Sequence, residues 1–418
     1  AASFALYKDP QVASPSRGIY ADVLRAVAVD SYTVRYDFAH PLPDPLYRTG
    51  HQILPRHRTA GLDPAAVRSW PLNDRPLASG PFRLLRWQRQ RELVLVPNPY
   101  YRGPAPRLDR VVFRVLPEET ARVVALENGE VDFVSDLGFA AAERLRSNER
   151  IEVVTVGGRQ YYYLLWNCRL PRLRDAATRR ALSLAIDRQL MIETLTAGFG
   201  EPASGPLPPA LWNHHPDLPA PRRDVARARR LLAAAGWSDA DGDGVLERDG
   251  NELRLEILTR QGDAIREHGL VILRENLREV GAVVEPRILE HATSLSLLGA
   301  ADFEAYLGRF NANLFGDLSG LVHSAAVDRF NFGAYRNAQV DSLLDLALAE
   351  PVRARALRHW YALQEQLVED PPAAYLFYQG LLVGISDRLQ DVRPHLLSPI
   401  NNLSEWWIAP ADRKYRTE

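Results

Sequence analysis

A single cysteine, Cys168, stands in 418 residues, so neither an internal disulfide nor a cysteine-built metal cluster is available. Lysine is nearly absent: Lys8 and Lys414 are the only two, and arginine supplies the rest of 51 basic residues against 52 acidic ones. The resulting net charge of −1 creates no global field to recruit nucleic acid or anionic lipid. Long apolar runs are missing as well. The longest, residues 375–385, is broken by Gln379 and Gly380 and is far short of a bilayer span, so no direct membrane insertion is expected. The opening AASFALYKDP lacks the charged-then-apolar order of a secretion signal. Catalytic signatures are also wanting: there is no Walker A loop, no G-x-G-x-x-G and no H-E-x-x-H, and GDLSG at 316–320 has the wrong spacing for a nucleophile elbow. His214 and His215 are adjacent, and adjacent side chains diverge on a helix or strand, which disfavours a shared metal.

What is present is the composition of a soluble globular protein, 46% hydrophobic and 25% charged, long enough for two or three domains. Residues 29–38 (VDSYTVRYDF) alternate apolar and polar, which predicts a strand. Four prolines over 41–55 predict loop. Strands are expected at 82–87, 92–97, 110–116 and 131–134, with a short helix at 119–129. Beyond YYYLLW at 161–166 the period changes: Asp175 reads as the N-cap of a helix reaching Thr196. A proline-rich loop, 202–221, leads to a helix over 224–235. Strand 253–259, helix 270–280 and strand 282–288 form a β-α-β unit, followed by helices 338–350 and 352–367 and an apolar strand at 373–378. The pattern is mixed α/β. A chain that leaves one lobe, builds a second and returns is the construction of hinged two-lobe binding proteins.

Several segments resemble the family 5 extracellular solute-binding proteins, the peptide- and nickel-binding receptors of ABC importers. DSYTVRYDF at 30–38 and PLASGPFRLLRW at 76–87 are similar to two family motifs, with Leu77 and Ala78 replacing the usual residues of the second. VPNPYYRGPAPRLDRVVFRVLPE (96–118), ALENGEVDF (125–133), YYYLLWN (161–167), RDAATRRALSLAIDRQLM (174–191) and NAQVDSLLDLA (337–347) follow in family order. The resemblance implies a two-lobe α/β fold of the periplasmic-binding-protein type (class II, cluster C), with crossovers near 161–165 and 377–382. It divides the chain into a remnant of an extra subdomain (1–75), a first lobe (76–160), a second lobe (161–378) and a return to the first (379–418). Roughly a hundred residues that family members carry before this segment are not in the sequence. The implied partners are a small peptide-like solute and the membrane permease of an importer. The implied state is a monomer at a periplasmic or other extracytoplasmic site, performing no chemistry and needing no cofactor. A ligand-sensing domain of a transcription regulator is the alternative role, and an enzyme on the same scaffold a third.

In peptide-binding members a W-x-x-D stretch supplies an aspartate to the ligand's ammonium. Here Phe310 aligns with the tryptophan and Asn313 with the aspartate, while Asp317 lies near a second family acid. A neutral amide leaves a buried ammonium undercompensated, so Asn313 argues against an ordinary free amino terminus unless Asp317 replaces it. The remaining expected ligand contacts are Tyr161, Tyr163 and Trp166 on a strand, with Arg309 and Asn311 beside Phe310; Arg329 is a further carboxylate candidate. Trp406 and Trp407 are expected in lobe packing. One more motif stands apart. SDADGDGVLERDG at 238–250 places Asp239, Asp241, Asp243 and Gly244 at the first, third, fifth and sixth positions of a calcium loop. Its twelfth position is Gly250, which has no ligand atom, so the expectation is a solvated turn with a structural calcium as the alternative.

Overall fold

The computed structural model describes residues 1–42, 45–327 and 329–414. The chain opens on a short helix, Ala2–Lys8, and a hairpin follows, β1 (Val23–Ala28) against β2 (Val34–Phe38). The strand expected over 29–38 is cut short because Asp30 Oδ1 accepts from the Tyr32 amide at 2.7 Å and turns the chain. Phe4, Tyr20 and Val23 make the small core beside this hairpin, with Tyr36 edge-on to Phe4 at 5.8 Å. An antiparallel sheet of β3 (Phe82–Gln88), β4 (Glu92–Pro97) and β5 (Val111–Arg114) follows.

The main sheet takes strands from the rest of the chain: β6 (Phe133–Val134), β7 (Ile151–Trp166) and β8 (Gly200–Pro202). After a small hairpin, β9 (Glu247–Arg248) and β10 (Asn251–Glu252), come β11 (Arg254–Arg260), β12 (Val283–Leu289), β13 (Ala305–Asn311) and β14 (Ala373–Ser386). Their order is β12-β11-β13-β7-β14-β6, with β8 also on β14. β11 and β12 run parallel around the helix Ala264–Arg278, which is the expected β-α-β unit. That helix starts earlier than its apolar period because Asp263 caps it through the Arg266 amide.

β7 has 16 residues, a reach of about 50 Å at roughly 3.3 Å per residue. It and its antiparallel partner β14 run through two separate cores. At one end Ile151, Val134 and Leu382 pack under the helices Glu119–Glu127 and Phe139–Leu145. At the other, alternation sends Tyr162, Leu164 and Trp166 into one helical layer and Tyr161 into another. The first layer holds Ala176–Ala185, Arg188–Thr196, Val225–Ala234 and Ala264–Arg278; the second holds Ala338–Ala349 and Arg353–Glu369. The single helix expected from Asp175 to Thr196 is two, divided at Ile186–Asp187, where Asp187 Oδ1 accepts from the Leu190 amide and caps the second. The break lets Arg188, 4% exposed, donate to the Tyr375 carbonyl at 2.6 Å and the Ser183 carbonyl at 2.9 Å. With carbonyls and no carboxylate around it, burial pulls this guanidinium down to about 10. Arg179 is anchored differently, on Asp370 and the carbonyls of Leu173, Arg174 and Pro371.

Candidate solute-binding cleft

Between the second helical layer and a small core of Val156, Val383, Ile385, Leu389 and Trp406 lies a cleft of about 470 Å³, lined by Val154, Thr155, Val156, Gly157, Ala210, Leu211, Trp212, Leu314, Pro394, His395, Leu396 and Leu397. One wall is β7 together with the 394–397 loop. That loop is held by Asn402, which donates to the Asp391 carbonyl at 2.7 Å and accepts from Trp406 Nε1 at 2.8 Å. Trp406 itself is buried against Phe133, as lobe packing requires, and Trp407 Nε1 donates to Asp391.

The opposite wall is the proline-rich loop. Tyr378 on β14 fixes its start: the hydroxyl accepts from the Gly205 amide at 3.1 Å and lies 2.9 Å from the Gly205 carbonyl. Burial pushes this phenol up, so it keeps its proton. His214 Nδ1 donates to the Leu207 carbonyl at 2.7 Å, and burial lowers its pKa, so the ring stays neutral. Gln364 finishes the anchoring, donating to the Asn213 carbonyl at 2.9 Å and accepting from the His215 amide at 3.1 Å. Trp212 is thus presented at the lining from a loop with little freedom. Its ring meets Trp360 edge-on at 6.3 Å, and the Arg353 guanidinium rests 4.8 Å from its centroid. Its indole N–H is buried without an acceptor among the described residues.

The floor is where the two long strands pass between cores. Gln379 pairs with Gln160 and Leu381 with Val156, so residues 157–159 stand opposite Gly380 alone. The backbones touch there: a Cβ on Gly158 would fall 1.9 Å from the Gln379 carbonyl oxygen, and one on Gly380 2.7 Å from that of Val156. This close approach at Gly158 and Gly380 lies beside the stretches 161–165 and 377–382 where crossovers are expected.

The residues expected from sequence are scattered around this cleft rather than gathered in it. Trp166 has no exposed surface and belongs to the helical core. Tyr161 is 2% exposed, its ring meeting Tyr163, Phe310 and Tyr375. Burial raises the phenols of Tyr161 and Tyr163, and Tyr162, stacked on Phe377, is pushed up to about 12. Arg309 and Asn311 are exposed on β13, outside the lining, and Arg329 is exposed too. Asn313 spends its amide on its own loop, donating to the Asp317 carbonyl at 3.2 Å and accepting from the Asp317 amide at 3.1 Å. Asp317 Oδ1 accepts from the Ser319 amide and hydroxyl. From the stretch 308–324 only Leu314 reaches the lining. The lining segments 210–212 and 394–397 are not among the residues expected from sequence. The first had a signal, since a long unstructured loop inside a compact domain is usually functional.

Two other features are local. The carboxylates of Asp239, Asp241 and Asp243 lie within 4.8 Å of one another and are exposed. Asp239 accepts from the amides of Gly242 and Gly244, and Asp243 from that of Val245, so these acids close the turn. Cys168 lies beside Arg169, Arg179 and Asp370; burial pushes its thiol up to about 11, away from thiolate chemistry. No helix among the described residues is long and apolar enough to cross a membrane.

Two cores joined by a pair of long strands, with a walled cleft at the crossing, define a two-lobe receptor of the kind that holds a solute between preformed surfaces. A family model described as bacterial extracellular solute-binding proteins, family 5 Middle, matches residues 1–330, and the chain belongs to that family. The oligopeptide-binding protein AppA of Bacillus subtilis (strain 168) is 28% identical over 365 residues, covering 85% of this chain and 67% of that protein. The probable D,D-dipeptide-binding periplasmic protein DdpA of Escherichia coli (strain K12) is 24% identical over 388 residues, covering 90% and 71%. A putative peptide binding protein AppA from Clostridium difficile shares the fold, with a TM-score of 0.82 at 21% identity over 97% of this chain and 84% of that one.

Proposed function

We propose that this chain captures a peptide or peptide-like solute between its lobes and delivers it, outside the cytoplasm, to the permease of an ABC importer. The observation that carries this reading is the cleft beside the crossing of β7 and β14, faced by residues 210–212 and Leu314 on one side and by β7 with residues 394–397 on the other. Binding names among the relatives, oligopeptide for one and D,D-dipeptide for another, support the solute class. We take 76–160 with 379–418 as one lobe, 161–378 as the other and 1–75 as an additional subdomain, the chain acting as a monomer. Ligand contacts are assigned to the lining, with Trp212 and Leu314 from one lobe and Thr155, His395 and Leu397 from the other. Phe310, Asn311, Asn313 and Asp317 position the loop that carries Leu314, while Tyr161 and Tyr163 pack behind it. The role requires no catalysis and no cofactor, and the Asp239 turn has no share in it.

Mass spectrometry of solute carried through gentle purification, followed by X-ray scattering of the protein with and without it, tests the proposal. A peptide should be found, and its binding should compact the particle. A tightly bound peptide that leaves the scattering unchanged overturns the closure, and retention of non-peptide solutes only overturns the ligand class.

A further inference from the structure

Of the twelve residues lining the cleft, none is Asp, Glu, Lys or Arg, and His395 is the only titratable side chain. Seven are Val, Leu or Pro. A charged group carried into such a site would lose water and find no opposite charge, at a cost of several kcal/mol. The position that resembles the ammonium partner of peptide-binding relatives is Asn313, whose amide is engaged on both sides by Asp317 backbone groups. Arg353, the cation nearest Trp212, is stacked on the indole and is not among the lining residues. Trp212 brings the one aromatic ring to this lining, while its buried indole N–H offers the cleft no donor.

Resting on the receptor reading above, we infer that the cleft takes an uncharged, apolar stretch of its solute, an internal or end-blocked segment, packed against the Trp212 ring. The charged ends of a longer solute stay outside the lining. A free ammonium is not what this cleft is built to hold.

The test is calorimetry with four synthetic tripeptides. The probe is N-acetyl-Leu-Phe-Leu-amide; the others are the same sequence with free termini and two blocked versions with Lys or Glu in the middle. The blocked apolar probe should bind at least about tenfold more tightly than either charged version. Leu397→Glu alters a side chain that is 55% exposed and so leaves the fold intact. It should weaken the probe and improve the Lys version. Equal or tighter binding of a charged version overturns this inference and leaves the receptor reading standing. Failure of every peptide to bind overturns this inference, and the receptor reading is then decided separately by the solute carried through purification.

Discussion

Replacing Gly158 by alanine tests whether the strand crossing is as tight as it looks. The new Cβ would sit 1.9 Å from the Gln379 carbonyl oxygen, 2.9 Å from its carbon and 3.0 Å from Gly380 Cα. All three are backbone atoms, so no side chain can swing aside. Reaching ordinary contact near 3.5 Å requires β7 and β14 to separate by more than about 1 Å, which the ladder spacing of roughly 4.8 Å does not tolerate without losing a hydrogen bond. Overpacking of this kind costs about 1–3 kcal/mol and one lost ladder bond about 1 more, giving roughly 2–4 kcal/mol. The control is its neighbour: a Cβ on Gly157 would meet only Ala210 Cβ, at 3.4 Å, and Gly→Ala at a compatible site is stabilising by about 0.4–1 kcal/mol. Thermal melts should therefore show Gly158→Ala falling by about 4–10 °C and Gly157→Ala unchanged or slightly raised. Equal melting temperatures for the two variants would refute the close crossing, and with it the account of how the lobes are joined.

Three further outcomes are expected. Tyr378→Phe leaves the buried Gly205 amide without its acceptor, so stability should fall by about 1–3 kcal/mol in denaturant titrations and peptide binding should weaken as the 203–215 wall loosens. Arg48, from the N-terminal part, lies 4.2 Å over the ring of Phe315 in the second lobe's loop. Arg48→Ala should remove about 0.5–1 kcal/mol of contact between the parts and shift the scattering of the solute-free protein towards more open forms; unchanged scattering would deny the contact. Burial raises Tyr161, Tyr162, Tyr163, Tyr375 and Tyr378, with Tyr162 moved from 10.0 to about 12. Above pH 10 the unfolded chain gives up phenolic protons that the native one keeps, so each such tyrosine costs about 1.4 kcal/mol per pH unit until its native pKa is passed. Circular dichroism should be lost cooperatively between pH 10 and 12 together with a step in phenolate absorbance; tyrosines that ionise while the fold persists would contradict their burial.

The fold was legible where a local rule agreed with its surroundings. Asp175 and Asp224 announced helix starts and both act as caps. The β-α-β unit followed from its periods and from Gly281 after the helix. Errors came where one polar side chain overruled a period. Asp30 turned an alternating run into a hairpin, and Asp187 divided a continuous apolar pattern so that Arg188 could enter the core. A period reports which face is buried; it is silent on whether the backbone bends between one turn and the next.

The cleft was harder to read, for a reason that lies in its construction. Its lining comes from four stretches separated by up to about 240 residues, most of it apolar, with Thr155 and His395 the only polar side chains apart from the Trp212 indole. Charged and hydrogen-bonding residues draw the eye in a sequence, yet here Arg309 is exposed off the cleft and Asn313 is consumed by its loop. What makes apolar residues a site is that they remain open to a cavity after folding, and that depends on what holds the walls apart. Those struts are Tyr378 on Gly205, His214 on Leu207, Gln364 on Asn213 and Asn402 on Asp391. Each is a side chain bonded to a backbone group of the wall it supports, and each reads in sequence as an ordinary polar residue. In the proposed cleft the work is therefore divided: mostly apolar side chains form the surface, and polar side chains on neighbouring elements or elsewhere in the same loop hold its shape.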